Sequence, residues 1–275
     1  MENQIPAIDL SQPVEEIRKQ FERALADIQS ALRTFLMSDA TRADLRVTER
    51  EILRILSDTD KYIEENSDTL IRDVVISAIV ASYVMLSLDK PNVSAIKFST
   101  REKALIDYAV ESLQTDLKAV TESLNRQART VLRKAYMDEL KRTSARGRYG
   151  LGREVKRILD EADIAIIDKK GRKWRTSHYV EVVTNTQLME TQREATAIEA
   201  IERGVGHAYI SYSPKTTDRC KEYHYKIVKV APDIKSPYPY YRDLPHIFHV
   251  NCRHYLINFS SFENLPARVK AANGI

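Results

Sequence analysis

The sequence predicts an α+β fold class, with a long-helix N-terminal bundle or stalk followed by a small α+β domain, and the distribution of residue types along the chain is the reason. All seven glycines lie at or after Gly147, all six histidines at or after His178, and both cysteines, Cys220 and Cys252, near the end. Before residue 145 only Pro6, Pro13 and Pro91 interrupt long stretches of helical apolar spacing, which is the composition of an all-helical segment. These observations divide the 275 residues into a helical domain at 1–145, an α+β domain at 146–265 and a C-terminal tail at 266–275.

In the first segment Val14, Ile17, Phe21, Leu25, Ile28, Leu32 and Phe35 step by three or four residues. They form one stripe on a helix entered through Ser11 and Pro13. A second helical pattern covers about 42–65 and a third about 68–88, the latter ending before the turn at Lys90, Pro91 and Asn92. The third is free of charge over residues 74–88, shorter than the roughly 18–20 residues a bilayer core demands, and reads as a buried helix.

A fourth helix starts near Ser99 or Thr100, where Thr100 and Lys103 make an imperfect capping box, and runs to about Arg142. Its stripe, Ile106, Val110, Leu113, Leu117, Val120, Leu124, Ala128, Val131 and Ala135, is close to a heptad. Two arrangements fit it: an antiparallel bundle closing within the chain, and a seam for self-association between copies.

Residues 141–175 are the most basic region, with twelve Lys or Arg against five Asp or Glu. Within it residues 147–150 read as a linker or turn, 153–162 as a short helix, and 164–167 as a strand entering the turn that ends at Gly171. Arg146, Arg148, Arg153, Lys156, Arg157, Lys169, Lys170, Arg172, Lys173 and Arg175 are candidate phosphate contacts to nucleic acid, and the same residues would also make a solvated hinge. Downstream, residues 179–203 read as a helix stopped by Gly204, with Val182 or Val183, Leu188, Ala195, Ile198 and Ile201 inward. Residues 207–213 and 225–230 read as strands around a turn at 214–218, and the four prolines and three tyrosines of 231–245 as an ordered loop.

With 43% apolar and 30% charged residues the composition is that of a globular protein, and a net charge of only +4 makes any nucleic-acid argument a matter of local clustering. Met1 is followed by Glu2, Asn3 and Gln4 rather than by a basic and then apolar signal region, so a cytosolic product with no membrane partner is expected. No Gly-x-x-x-x-Gly-Lys-Ser/Thr loop, Gly-x-Gly-x-x-Gly turn, Gly-x-Ser-x-Gly elbow or His-Glu-x-x-His helix occurs, which removes the main sequence support for several enzyme classes.

One cluster could carry chemistry: Cys220 and His224, together with His246, His249, Cys252 and His254. Cys220, His224, His249 and Cys252 would supply a Cys2His2 set for a structural zinc. Plain packing of buried cysteines with hydrogen-bonded histidines is the default for such residues, and a disulfide formed outside the cell is a further alternative. A metal-dependent nucleic-acid enzyme would add carboxylates, for which Glu222 and Asp243 are the local candidates. A cellular DNA-binding or coiled-coil scaffold would need only the helices and the basic span.

Several landmarks of the second half occur in a recognisable order. Asp168-Lys-Lys-Gly-Arg-Lys-Trp174 precedes Ser177-His-Tyr-Val-Glu-Val-Val-Thr-Asn-Thr186; then come Gly204 and Gly206, the segment from Ser211 to Cys220, Tyr225-Lys-Ile-Val, and His249-Val-Asn-Cys-Arg-His254. Over residues 150–260 this series resembles the phage minor capsid protein 2 family, a relative of the Mu gene-F-like head morphogenesis proteins. The final hexapeptide, matching "H-x-N-C-R-H/C", is its most specific part. Asn185-Thr186 stands where the family has Arg-Thr, Tyr225 stands where it has a glycine, and a second cysteine shortly after the first is missing unless His224 replaces it.

The resemblance implies a structural rather than enzymatic protein of a tailed bacteriophage. It would lie inside the head of the virion, having passed through the host cytoplasm, in few copies associated with the portal protein at the portal vertex. It implies further contacts with major capsid or scaffold protein and with packaged double-stranded DNA without sequence specificity, and a pairing of Cys220 with Cys252 through metal or packing. The roughly 15 residues after Ser260 are too few for an added toxin or nuclease domain.

Overall fold

Three long helices dominate the N-terminal half of the computed structural model, which describes residues 10–38, 41–86, 92–143, 165–167, 171–213 and 218–275. They are α1 (Ser11–Met37), α2 (Arg42–Met85) and α3 (Thr100–Thr143). In α1 the buried stripe is Val14, Ile17, Phe21, Ala24, Ile28, Leu32 and Phe35, so Ala24 rather than the expected Leu25 continues the inner face. The expected break near residue 66 does not occur. Asn66, Ser67 and Asp68 are polar but include neither glycine nor proline, and the helix runs through them with Nδ2 of Asn66 donating to the Tyr62 carbonyl at 2.7 Å.

The start of α3 is a complete capping box, set one residue earlier than the sequence pairing of Thr100 with Lys103. The Ser99 hydroxyl accepts from the Glu102 amide at 3.2 Å, and the Glu102 carboxylate accepts from the Ser99 amide at 2.7 Å.

The chain forms two compact units, and each draws on both halves of the sequence. One comprises Pro13–Asn66 and Gln114–Glu181; the other comprises Ser67–Leu113 and Val182–Ile275 with the start of α1. The composition change near residue 145 therefore marks a different kind of division.

The first unit is an antiparallel helical bundle. Lys118 meets Glu64 at 2.6 Å, Thr121 donates to Asp60 at 2.7 Å, and Arg129 and Arg133 face Glu49 at 3.7 and 3.6 Å. As numbering rises along α3 it falls along α2, which is antiparallel packing. Asp27, Ala31 and Thr34 of α1 share a surface cleft with Val47, Glu51 and Arg54 of α2, so these two helices, joined through residues 38–41, also run antiparallel. Leu117, Val120, Leu124, Ala128, Leu132 and Ala135 of α3 are buried, Leu132 taking the place expected for Val131. The part of the near-heptad stripe from Leu117 onward is thus covered within this unit, whereas Ile106, Val110 and Leu113 belong to the other. A short hairpin completes it, with β1 (Ala165–Ile167) antiparallel to β2 (Lys173–Arg175) and Ile166 buried opposite Trp174.

The second unit is built on a three-stranded antiparallel sheet in the order β4 (Ile227–Lys229), β3 (His207–Ile210), β5 (Leu256–Asn258). Alternation along β3 separates two apolar clusters. Ala208 and Ile210 join Ala197, Ala200, Cys220, Val228 and Cys252, whereas Tyr209 joins Ile227, Ile257, Phe259, Leu265 and Val269.

The helix α4 (Thr176–Glu202) brings its residues from Val182 onward to this unit. It ends in a Schellman motif at Gly204 (φ 68°), where the Val205 amide donates to the Ala200 carbonyl at 2.8 Å and the Gly204 amide to Ile201 at 3.0 Å. The four-residue α5 (Asp218–Lys221) carries Cys220.

The C-terminal residues expected as a tail form α6 (Ala267–Asn273), with Val269 fully buried. The Asn273 side chain accepts from the Ile227 amide at 3.0 Å and donates to the Tyr225 carbonyl at 2.8 Å, which ties α6 to the sheet. No helix among the described residues is long and apolar enough to cross a membrane.

Candidate functional site: a thiol and imidazole cluster

The second unit gathers most of the Cys and His residues singled out from the sequence. Cys220 comes from α5, His249 and Cys252 from the irregular segment after the proline-rich loop, and His254 from the residues leading into β5. The ligand atoms of Cys220, Cys252 and His254 lie within 4.8 Å of one another, and all three residues are buried. The two cysteines are thiols, not joined in a disulfide.

Nδ1 of His254 is 3.3 Å from Sγ of Cys252, and its Nε2 has no hydrogen-bond partner among the described residues although the ring is only 1% exposed. Nε2 of His249, a residue on the open side of the cluster, is 2.9 Å from Sγ of Cys220. His224, expected from spacing to be a ligand, is not in the group of clustered ligand atoms; its ring packs on His254 with centroids 5.0 Å apart. His246 contributes its carbonyl, which accepts from the Cys220 thiol at 3.7 Å.

Burial sets the electrostatics. Desolvation, reinforced by the positive ends of His224, His249 and Arg193, lowers the His254 pKa to about 4, so the ring is neutral near pH 7. Burial raises the Cys252 thiol above its ordinary value, against the opposing pull of backbone hydrogen bonds and the Arg193 guanidinium. Arg193 is itself 5% exposed; burial lowers its pKa, and the nearby Cys252 sulfur is the first of the negative groups that oppose this.

The frame that holds the cluster is α4, through a row of polar side chains. Thr186 accepts from the Asn251 amide at 2.9 Å, Arg193 donates to the His254 carbonyl at 3.1 Å and packs over the Phe248 ring at 4.7 Å, and the Thr196 carbonyl accepts from Asn258 at 2.9 Å. Glu194 accepts from the Tyr241 hydroxyl at 2.6 Å and pairs with Arg242.

Sequence periodicity missed this row because it assigns polar positions to the solvent side. Gln187, Thr191, Gln192, Arg193, Thr196 and Glu199 are buried, whereas Ile201, expected inward, is exposed and Ile198 half-buried. The helix is covered on more than one face, so polarity no longer marks the outside. The signal available in the sequence was the Asn185-Thr186 pair, of which Thr186 reaches the loop.

Glu222 and Asp243, the carboxylates a metal-dependent nucleic-acid enzyme would need, are exposed, and neither is among the ligand atoms clustered at Cys220, Cys252 and His254.

Of the candidate nucleic-acid residues, Arg146, Arg148, Arg153, Lys156, Arg157, Lys169 and Lys170 lie outside the described residues, as does the expected helix at 153–162. Arg172, Lys173 and Arg175 are exposed on and beside β2 in the first unit. Arg172 stands over the Trp174 ring at 5.2 Å, and Trp174 stacks on His178 at 5.6 Å. Lys173, Trp174, Arg175 and His178 line a shallow surface cleft together with Arg18 of α1 and Glu181.

Comparison with protein families matches the phage minor capsid protein 2 family over residues 15–269. Comparisons with curated proteins and with solved structures give no match. The family match begins inside α1 and ends inside α6, so it extends the resemblance read over residues 150–260 through the whole helical half. On that ground the chain belongs to the phage minor capsid protein 2 family.

Proposed function

We propose that this capsid protein acts inside the phage head at the portal vertex, as an assembly element that also touches packaged DNA. The observation that carries the reading is the family match across both compact units, which makes the whole chain, and not one module of it, a capsid component. Its chemistry supports an assembly role. The long helices close into a bundle with their apolar stripes covered, and the second unit is tied together by buried polar bonds from α4, so the chain offers preformed surfaces rather than a reactive cleft.

DNA contact is supported by Arg172, Lys173 and Arg175, which project three cations beside a half-buried tryptophan. Such a strip suits sequence-independent phosphate contact, and the sequence carries further cations between residues 146 and 170. Major capsid or scaffold protein is a second partner of the same assembly.

The test is co-expression of the tagged full chain with the portal protein of the same phage, followed by affinity purification and sizing. A defined complex of the two is expected. A chain that elutes alone, with the portal in the unbound fraction at assembly concentrations, overturns the portal placement.

A further inference from the structure

We propose that Cys220, Cys252 and His254, with His249 as the fourth ligand, form a structural zinc site in the second unit. Zinc takes thiolate sulfur at about 2.3 Å and imidazole nitrogen at about 2.0–2.1 Å in a tetrahedron, which puts a sulfur and a nitrogen on one ion roughly 3.5 Å apart. Sγ of Cys252 and Nδ1 of His254 are 3.3 Å apart, and the Cys220 sulfur lies within 4.8 Å of both ligand atoms. Three ligands carried by two segments of the chain are therefore already gathered within reach of one ion.

His249 is prepared in a second way. Its Nδ1 lies 2.8 Å from the Val250 carbonyl, and donating the ring proton there leaves Nε2 as a lone-pair donor. A backbone carbonyl on the far ring nitrogen is the usual orienting contact of a zinc histidine. That Nε2 reaches the Cys220 sulfur from the exposed side. His224, the ligand that spacing suggested, remains an outer neighbour whose ring is tilted 39° against that of His254.

The clustered group of two sulfurs and the His254 imidazole holds no carboxylate, and with His249 as the fourth ligand this donor set selects zinc over magnesium or calcium and leaves no open position for catalysis. The ion would join α5 to the segment leading into β5. That segment turns through positive φ at three non-glycine residues, His246, Phe248 and Asn251, a conformation that persists only where the surroundings fix it.

The site is tested on the full chain, purified without chelator, by elemental analysis, thiol titration and replacement of zinc by cobalt(II). About one zinc per chain is expected, with a sulfur-to-cobalt charge-transfer band in the cobalt form. His249→Ala, at an exposed ring, should leave the fold intact and weaken zinc binding by about tenfold or more. His224→Ala should keep full zinc, and Cys252→Ser should lose it.

A zinc-free chain that gives no sulfur-to-cobalt band overturns the proposal, as does recovery of the two cysteines as a disulfide. Loss of zinc in His224→Ala with retention in His249→Ala overturns the ligand set. None of these outcomes bears on the place of the chain in the phage head.

Discussion

Phe21→Ala should lower the stability of the first unit by about 3–5 kcal/mol, the range for emptying a fully buried aromatic position. Phe21 is 0% exposed at the middle of the α1 stripe, between Ile17, Ala24 and Ile28, which are also buried. Truncation removes the transfer free energy of the ring and leaves a cavity that neighbouring helices refill only in part. Domains are stable by roughly 5–15 kcal/mol in total, so this one change removes a large fraction.

Urea denaturation followed by circular dichroism reads the effect as a fall in midpoint at unchanged slope. Met37→Ala serves as the control, since Met37 is 64% exposed at the end of the same helix and its removal should stay within about 0.5 kcal/mol. If Phe21→Ala shifts the midpoint no more than Met37→Ala, α1 is not a core element and the bundle described here is wrong.

Replacing Arg172, Lys173 and Arg175 together by alanine should weaken binding to double-stranded DNA, and in a way that depends on salt. Each cation that neutralises one phosphate releases counterions and adds about 0.9 to the slope of log affinity against log salt. Loss of three contacts therefore lowers the slope by about 2.7, so between 50 and 200 mM salt the affinity gap between wild type and variant narrows by about 40-fold. All three side chains are exposed, which keeps the stability cost of the triple change small. Titrations of a labelled duplex at several salt concentrations measure both slopes. Equal slopes for the two proteins would remove β2 from any DNA contact, whatever their absolute affinities.

The helices were legible in the sequence wherever one face is buried and the other wet. The α1 stripe and the extent of α3 follow from apolar spacing, and Gly204 marks the end of α4 because its positive φ suits glycine. Elsewhere local signals competed. Polar residues at 66–68 looked like a boundary but carry no backbone reason to stop a helix, and the cap at Ser99 was read one residue late because Thr100 is an equally good capping residue. The strand β5 was missed: Leu256–Asn258 has only three residues, all buried, so no alternation betrays it.

The cysteine and histidine cluster was half legible. Residue type and the family hexapeptide marked Cys220, His249 and Cys252, but which histidine joins them depends on tertiary geometry. His224 follows Cys220 at a spacing that suits a short ligand pair, yet it lies outside the clustered ligand atoms. His254, two residues after Cys252, turns inward as the chain enters β5. The buried polar row of α4 had even less sequence signal, because Arg193 and Thr196 look like surface residues until the loops they hold are folded over them.

The family match makes this chain a minor capsid protein, and the proposed function places it inside the head. Quantitative mass spectrometry of purified phage particles, treated with protease before or after the heads are opened, tests that placement most directly. The expected result is a protein present at a small fraction of the major capsid protein, protected in intact particles and digested once they are opened. Its absence from purified particles, or its digestion on intact ones, would contradict the claim.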